Sequence, residues 1–304
     1  MAATQVIVLG GTGFVGRHLV RRLIADGHSV TVLSRGADAA TRAALPPSTA
    51  VREGNVHEQG FLREAFAGAD AVINLVGILN ERGDAGDGFE HVFVDLLDSV
   101  LAAMRAAGVR RLLQMSALNA GRGESHYLQA RGRAEQHLRG SSADWTVFRP
   151  SVIAGPGDGL FCRFDRLLSV APALPIGRAD ARFQPVWVGD VAAAFARALV
   201  DPATRYRAFD LVGPDVLTLA EIVRLTARAR GRHRAVITLP ATLGRLQAEI
   251  GEHLPGKPIS RDNWRSLQLD STSTQNGLAQ LGLVPTPVVP RVPEILDGCD
   301  TAGA

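Results

Sequence analysis

The chain has 304 residues, 46% of them apolar and 21% charged, with a net charge of +3. That is the composition of a soluble globular protein, long enough for a large core plus an appended lobe. Its dispersed basic residues leave no nucleic-acid footprint, and no apolar run reaches the roughly 18 residues that span a bilayer. Of the 33 basic residues only Lys257 is a lysine. An apolar strand begins within a few residues of Met1, which leaves no room for a signal or transit peptide, so a cytoplasmic location is expected. Cys162 and Cys299 are far apart and have no metal-ligand spacing, so they are expected as free thiols, buried or facing solvent. None of the eight histidines forms an HxxxH pair.

The first informative stretch is TQVIVLGGTGFVGRHLV, Thr4 to Val20. Val6, Ile7, Val8 and Leu9 suit a strand buried on both faces of a parallel sheet. Gly10, Gly13 and Gly16 follow, and Thr12, Phe14 and Val15 lie among them. Gly10 takes a sharp strand-to-helix turn, Gly13 lets a diphosphate reach the main chain, and Gly16 lets the helix pack on the strand. Their product is an anion site at a helix N-terminus, the pattern of a dinucleotide fold.

The helix runs from about Phe14 to Ala25, and Asp26-Gly27 turns the chain into a strand from Ser29 to Leu33. At its end stand Ser34 and Arg35, where an acidic residue selects NAD and an arginine accommodates the 2′-phosphate of NADP. Arg35, with Ser34 as a second donor, favours NADP(H), with NAD(H) still possible. The alternative is an ordinary solvated loop arginine. A short strand at Ala50 to Arg52 leads to Asn55 and Val56, placed for an adenine edge, and then to a helix over about Glu58 to Phe66.

Residues 69 to 77, ADAVINLVG, read as a buried strand whose last residues, Leu75, Val76 and Gly77, reach the cofactor rim. A polar loop over 80 to 88 precedes a continuous helical period from Phe89 to Ala107. A strand at Arg111 to Met115 ends at Ser116. A helix from about His126 to Arg139 carries Tyr127 and Arg131, and a strand at Trp145 to Phe148 runs into Pro150 and Val152. This alternation predicts an α/β fold with a doubly wound parallel sheet. The expected division is a dinucleotide-binding domain over 1–156 and a smaller lobe over 157–304, interleaved with sheet elements.

In that lobe Asp190 is expected to cap a helix from Val191 to Leu199. A strand follows at Phe209 to Val212, then a Thr218–Glu221 capping box. A strand at Ala235 to Leu239 and a helix at about Thr242 to His253 come next, and the proline-rich end is expected to be irregular. Arg163, Arg166, Arg178, Arg182 and Gln184 are candidates for an anionic substrate pocket, although scattered arginines in so arginine-rich a chain are more often surface residues.

GGTGFVGRHLV at 10–20, VINLVGIL at 72–79, SHYLQARGRAEQHL at 125–138, FRPSVIAGPGDG at 148–159, FQPVWVGDVAAAFARAL at 183–199 and ISRDN at 259–263 carry a family resemblance. The chain resembles the atypical, extended short-chain dehydrogenase/reductases, the NAD-dependent epimerase/dehydratase-like group. Within it the chain is similar to the branch that includes the nucleotide-binding accessory subunit of respiratory complex I. The resemblance runs nearly end to end.

In enzymes of this superfamily a tyrosine and a lysine four residues later share a helix face, near a serine or threonine at the end of the fifth strand. The lysine charge lowers the tyrosine pKa from about 10, and the phenol then exchanges a proton with substrate. Tyr127 and Ser116 match these places, but the lysine place holds Arg131, whose planar guanidinium does not copy a compact ammonium. The resemblance therefore implies two readings. One is a structural or sensing NADP(H) binder tied to respiratory or quinone metabolism, with a protein partner. The other is an oxidoreductase or epimerase on a small hydroxyl or carbonyl compound that uses Tyr127. A scaffold with an empty site is a third reading.

Overall fold

The computed structural model describes residues 3–254, 257 and 259–301. Nine strands longer than three residues occur in them: β1 Gln5–Leu9, β2 Ser29–Ser34, β3 Ala50–Glu53, β4 Ala71–Asn74, β5 Arg111–Met115, β6 Asp144–Pro150, β7 Ala173–Gly177, β8 Arg207–Leu211 and β9 Ala235–Leu239. The helices that matter for the site are α1 Phe14–Ala25, α2 Gln59–Phe66, α3 Leu96–Ala107, α4 His126–Arg139, α5 Phe161–Val170, α6 Val188–Val200, α7 Leu219–Ala229, α8 Ala241–Glu252, α9 Arg261–Ser266 and α10 Val292–Thr301. Seven strands form one parallel sheet in the order β8-β6-β5-β4-β1-β2-β3, and β7 pairs with β9 in a separate two-stranded sheet.

Side chains alternate across that sheet with the two-residue period of a strand. Ile7 and Leu9 enter the core beneath α2 and α3, while Val6 and Val8 enter the core beneath α1 and α6. Strand order reverses between β1 and β4, and in a doubly wound sheet the crevice outside the carboxyl ends at such a reversal receives the ligand. The sheet is continued by segments beyond residue 156: β8 lies beside β6, and α6 packs on α1. Phe148 on β6 is fully buried and touches Phe195 of α6 (centroids 4.2 Å) and Phe209 of β8 (6.0 Å).

The elements depart from sequence expectation where side chains take over backbone roles. The strand expected over 69–77 stops at Asn74, whose Oδ1 accepts the Val76 N–H (3.1 Å) while its Nδ2 donates to Gln114 (3.1 Å). The helix expected to run unbroken from Phe89 to Ala107 contains a π turn, His91–Asp95, after a short α turn, Asp87–Glu90. Such insertions are frequent at functional sites. Asp190 does not cap α6. Trp187 is the N-cap, and the Asp190 carboxylate accepts the backbone N–H (2.7 Å) and hydroxyl (2.8 Å) of Thr286, tying the C-terminal segment down. That segment is not wholly irregular, because α10 begins at Val292 with Pro293 in its first turn, where the missing N–H is harmless. The Thr218–Glu221 capping box forms as expected.

Cys162 and Cys299 are not free thiols but form a disulfide. The 137-residue separation hides this in the sequence, and the packing of α10 on α5 brings the two together.

Helix α4 is anchored from a distant segment. Asp262 of α9 accepts from the Ser125 hydroxyl (2.8 Å) and from the backbone N–H groups of His126 (2.7 Å) and Tyr127 (3.2 Å). It thereby supplies acceptors and negative charge at a helix N-terminus. Ser260 and Asn263 cap α9 itself, and Arg265 pairs with Asp84 (2.7 Å). The buried Asp262 ties the ISRDN stretch to the start of α4, and Ile259 and Asn263 of the same stretch line the cavity beside that helix. Replacing Asp262 with Ala orphans these donors and is expected to cost about 1–3 kcal/mol in urea unfolding. Unchanged stability would contradict the anchoring. Phe148→Ala is expected to cost about 3–5 kcal/mol by the same measurement; a loss under about 1 kcal/mol would remove Phe148 from the centre of the packing.

Candidate dinucleotide-binding site

Gly10 ends β1 with φ +77°, a conformation L side chains rarely adopt. The turn is closed by the Gly13 N–H donating to the Gly10 carbonyl (3.1 Å). A Cβ on Gly16 would stand 2.3 Å from that same carbonyl oxygen, so only glycine permits the approach of α1 to β1. Helix α1 then starts at Phe14 with Gly13 as N-cap, no side-chain cap and no acidic residue in its first turn. Its leading N–H groups are left for an external anion, and a dinucleotide diphosphate fits there. In this turn Thr12 is half-buried and Gly13 exposed, while Phe14 and Val15 line the cavity beyond it.

At the far end of the crevice β2 delivers Ser34 and Arg35. Ser34 is buried and its hydroxyl donates to the Gly36 carbonyl (2.9 Å), so it shapes the loop and is not a free second donor. Arg35 is exposed and has no ion-pair partner among the described residues. Asn55 accepts the His57 N–H (3.1 Å) and turns the chain from β3 into α2, and Val56 is buried against the core. Sequence reasoning passed over His57. Its ring stacks on His91 of the π turn with centroids 4.1 Å apart. Burial, then the charges of His91 and Arg35, hold its pKa below the ordinary histidine value. The long sequence gap between residues 57 and 91 concealed the pair.

The opposite end gathers Leu75, Val76, Gly77, Ser116, Tyr127, Arg131, Pro150 and Val152 around the carboxyl ends of β4, β5 and β6. The Tyr127 ring meets Phe89 (5.7 Å) and Phe93 (5.4 Å) edge to face. One helical turn on, Arg131 does not lie on the helix surface. It is buried, its Nη1 donates to the Met115 carbonyl (2.8 Å), and its guanidinium lies 3.8 Å from the Phe93 centroid and 5.5 Å from that of Tyr127. A Cβ on Gly77 would come 2.8 Å from Arg131 Nη2, so Gly77 makes room for the guanidinium. The Arg131 Nε is buried without a partner among the described residues. Such a donor at the cleft floor fits a cofactor that brings an acceptor. The Ser116 hydroxyl donates to Glu135 (2.7 Å), a buried carboxylate that also takes Arg139 (2.8 Å) and Arg149.

These residues open into a cavity of about 970 Å³. Phe14, Val15, Leu75, Tyr127 and Arg131 border its cofactor side, and α5, β7, α8 and the end of β9 enclose the rest. Of the five residues considered for an anionic substrate, only Arg163 lines it. Arg178 pairs with Asp180 (3.4 Å), and Arg182 and Gln184 border a separate polar hollow of about 520 Å³. Among the described residues no cluster of three or more His, Cys, Asp or Glu is arranged to hold a metal, and no helix is long and apolar enough to cross a membrane.

Comparison with known proteins agrees with this geometry. A family model described as NAD(P)H-binding matches residues 10–164. Subunit 9 of the mitochondrial NADH dehydrogenase (ubiquinone) 1 alpha subcomplex of Arabidopsis thaliana is 28% identical over 302 residues, covering 91% of this chain and 73% of that protein. A ceramide reductase of Caulobacter vibrioides is 30% identical over 240 residues, covering 77% of this chain and 73% of its own length. The UDP-glucose 4-epimerase of Thermus thermophilus, solved with NAD, superimposes with a TM-score of 0.77 at 21% identity, over 98% of this chain and 99% of that one, which establishes a shared fold. The chain is thus similar to the complex I accessory subunits and shares the fold of the NAD-bound epimerase, and it belongs to the NAD(P)H-binding family.

Proposed function

We propose that this chain binds NADP(H) in preference to NAD(H) and exchanges hydride between it and an uncharged carbonyl or hydroxyl compound held in the adjoining cavity. The observation that carries the reading is the continuity of the 970 Å³ cavity with the Tyr127–Arg131 end of the cofactor crevice. A protein that only holds a nucleotide has no need of such a volume beside the nicotinamide. The dinucleotide, when bound, supplies or accepts the hydride. Gly10, Gly13 and Gly16 leave room for its diphosphate, and Arg35 offers paired donors to a 2′-phosphate.

Tyr127 borders the cavity, and its hydroxyl has no hydrogen-bond partner among the described residues. It is the group available to pass a proton to a substrate oxygen or take one from it. Arg131 places a fixed positive charge one helical turn away, its guanidinium 5.5 Å from the Tyr127 ring centroid. Ser116 acts indirectly, because its hydroxyl is committed to Glu135.

A second reading, a tightly held structural or sensing NADP(H) in a protein assembly, is favoured by that engaged Ser116 and by arginine at the lysine place. The similarity to complex I subunits supports such an assembly and a tie to respiratory metabolism. Neither cysteine of the Cys162–Cys299 bridge lines the cavity, although Cys162 lies on α5 beside Arg163, which does.

Calorimetric titration tests the cofactor choice. Arg35→Ala is expected to weaken NADP(H) about tenfold, or ~1.4 kcal/mol, and to leave NAD(H) within about twofold. Equal losses for both would remove Arg35 from 2′-phosphate recognition. For the chemistry, NADPH oxidation with phenanthrenequinone as acceptor is expected to fall on the order of 100-fold or more in Tyr127→Phe and to rise in Arg131→Lys. Equal negligible rates in all three proteins, with dinucleotide still bound, would leave the structural reading standing instead.

A further inference from the structure

The part of the cavity remote from the cofactor has an unusual wall. Leu243, Leu246 and Ile250 recur at helical spacing on α8, and Leu254 continues the row just beyond it. All four border the cavity, yet each keeps about half its surface exposed, so packing among the described residues leaves that half uncovered. From Leu243 to Ile250 the row is ~10 Å long at the rise of an α-helix. Leu160, Phe164 and Leu167 of α5 and its approach form another part of the same lining.

Polar groups on this remote wall are already engaged. Gln247 accepts the Gly177 N–H (3.1 Å) and donates to the Pro175 carbonyl (2.8 Å). The Ser266 hydroxyl is bonded to that of Ser125 (2.8 Å), and Arg163, the cation on this side, has an interaction of its own within the chain. A nucleotide sugar brings a diphosphate and several hydroxyls, and burying them against such a wall leaves them unpaired. An alkyl or isoprenoid chain makes no such demand and gains about 0.8 kcal/mol for each CH₂ buried.

On the reading of this cavity as the substrate site, we infer that its substrate is a long-chain amphiphile. Its reacting oxygen sits at Tyr127, and its hydrocarbon chain runs along the Leu243–Leu246–Ile250 face of α8. The polar end is recognised beside Arg131 and the chain by apolar contact alone. The half-exposed row makes the outer lip of the cavity, where the chain enters.

Equilibrium binding tests this without turnover. The probe is a pyrene-capped long-chain methyl ketone, competed by unlabelled straight-chain alkan-2-ones of increasing length, with and without NADP(H). Affinity is expected to rise about threefold or more per added CH₂ until the wall is covered. Leu246→Arg and Ile250→Arg are expected to weaken the longest ketone at least tenfold, whereas Val284→Arg, at an exposed apolar position away from the cavity, binds it as wild type does. Thermal melts of each variant confirm that the comparison is between folded proteins. A flat dependence on chain length, α8 variants that bind as wild type, or UDP-glucose competing better than the longest ketone would each overturn the inference. Ketone binding in a protein without dinucleotide affinity would sink the redox reading and leave this one intact. Dinucleotide binding with no chain-length dependence would do the reverse.

Discussion

Helix α1 lies against β1 only because Gly16 carries no side chain where the Gly10 carbonyl stands, a contact that a Cβ would close to 2.3 Å. That approach fixes the direction of the helix N-terminus. Its uncapped N–H groups then face the crevice where the strand order reverses between β1 and β4. A Cβ at Gly10 would itself stand 3.1 Å from the Leu75 backbone, so the same turn holds β1 and the end of β4 at the spacing of the cleft. The dinucleotide site is thus a consequence of backbone proximity, and its side chains refine what the glycines allow.

At the other end the governing constraint is the burial of Arg131. A guanidinium withdrawn from water needs partners, and it has the Met115 carbonyl, the face of Phe93 and space left by Gly77. The π turn at His91–Asp95 contributes Phe93 to that pocket and sets His91 against His57 at the end of the crevice that holds Arg35. One irregular turn therefore contributes to both ends of the crevice. Asp262 sets the start of α4, and through it the position of Tyr127, from a segment 135 residues away in the chain.

Much of this was legible in the residues. The buried run Val6–Leu9, the glycine spacing and the alternation of strands with helices carry the parallel sheet. The bounds of α4 and of the strand Ala235–Leu239 agree with the pattern of apolar residues. What escaped depends on contacts between distant segments, which periodicity does not report. Cys162 finds Cys299, Asp190 finds Thr286, and Ser116 is drawn to Glu135. Ser34 looked like a donor for phosphate, but a local bond to Gly36 claims its hydroxyl. The four apolar residues on and after α8 read as ordinary amphipathic helix in the sequence. Only the cavity beside them shows that about half of each side chain is left uncovered by the described residues.

The central claim is that NADP(H) lies across the carboxyl edge of the sheet, from Arg35 past α1 to Tyr127. A crystal structure of the protein grown with NADPH tests it most directly. The diphosphate is predicted within hydrogen-bond reach of the first N–H groups of α1, the 2′-phosphate on Arg35, and the nicotinamide at the mouth of the cavity beside Tyr127. Density for the nucleotide elsewhere, or a diphosphate that does not touch the turn at Gly10 to Gly16, would contradict the account.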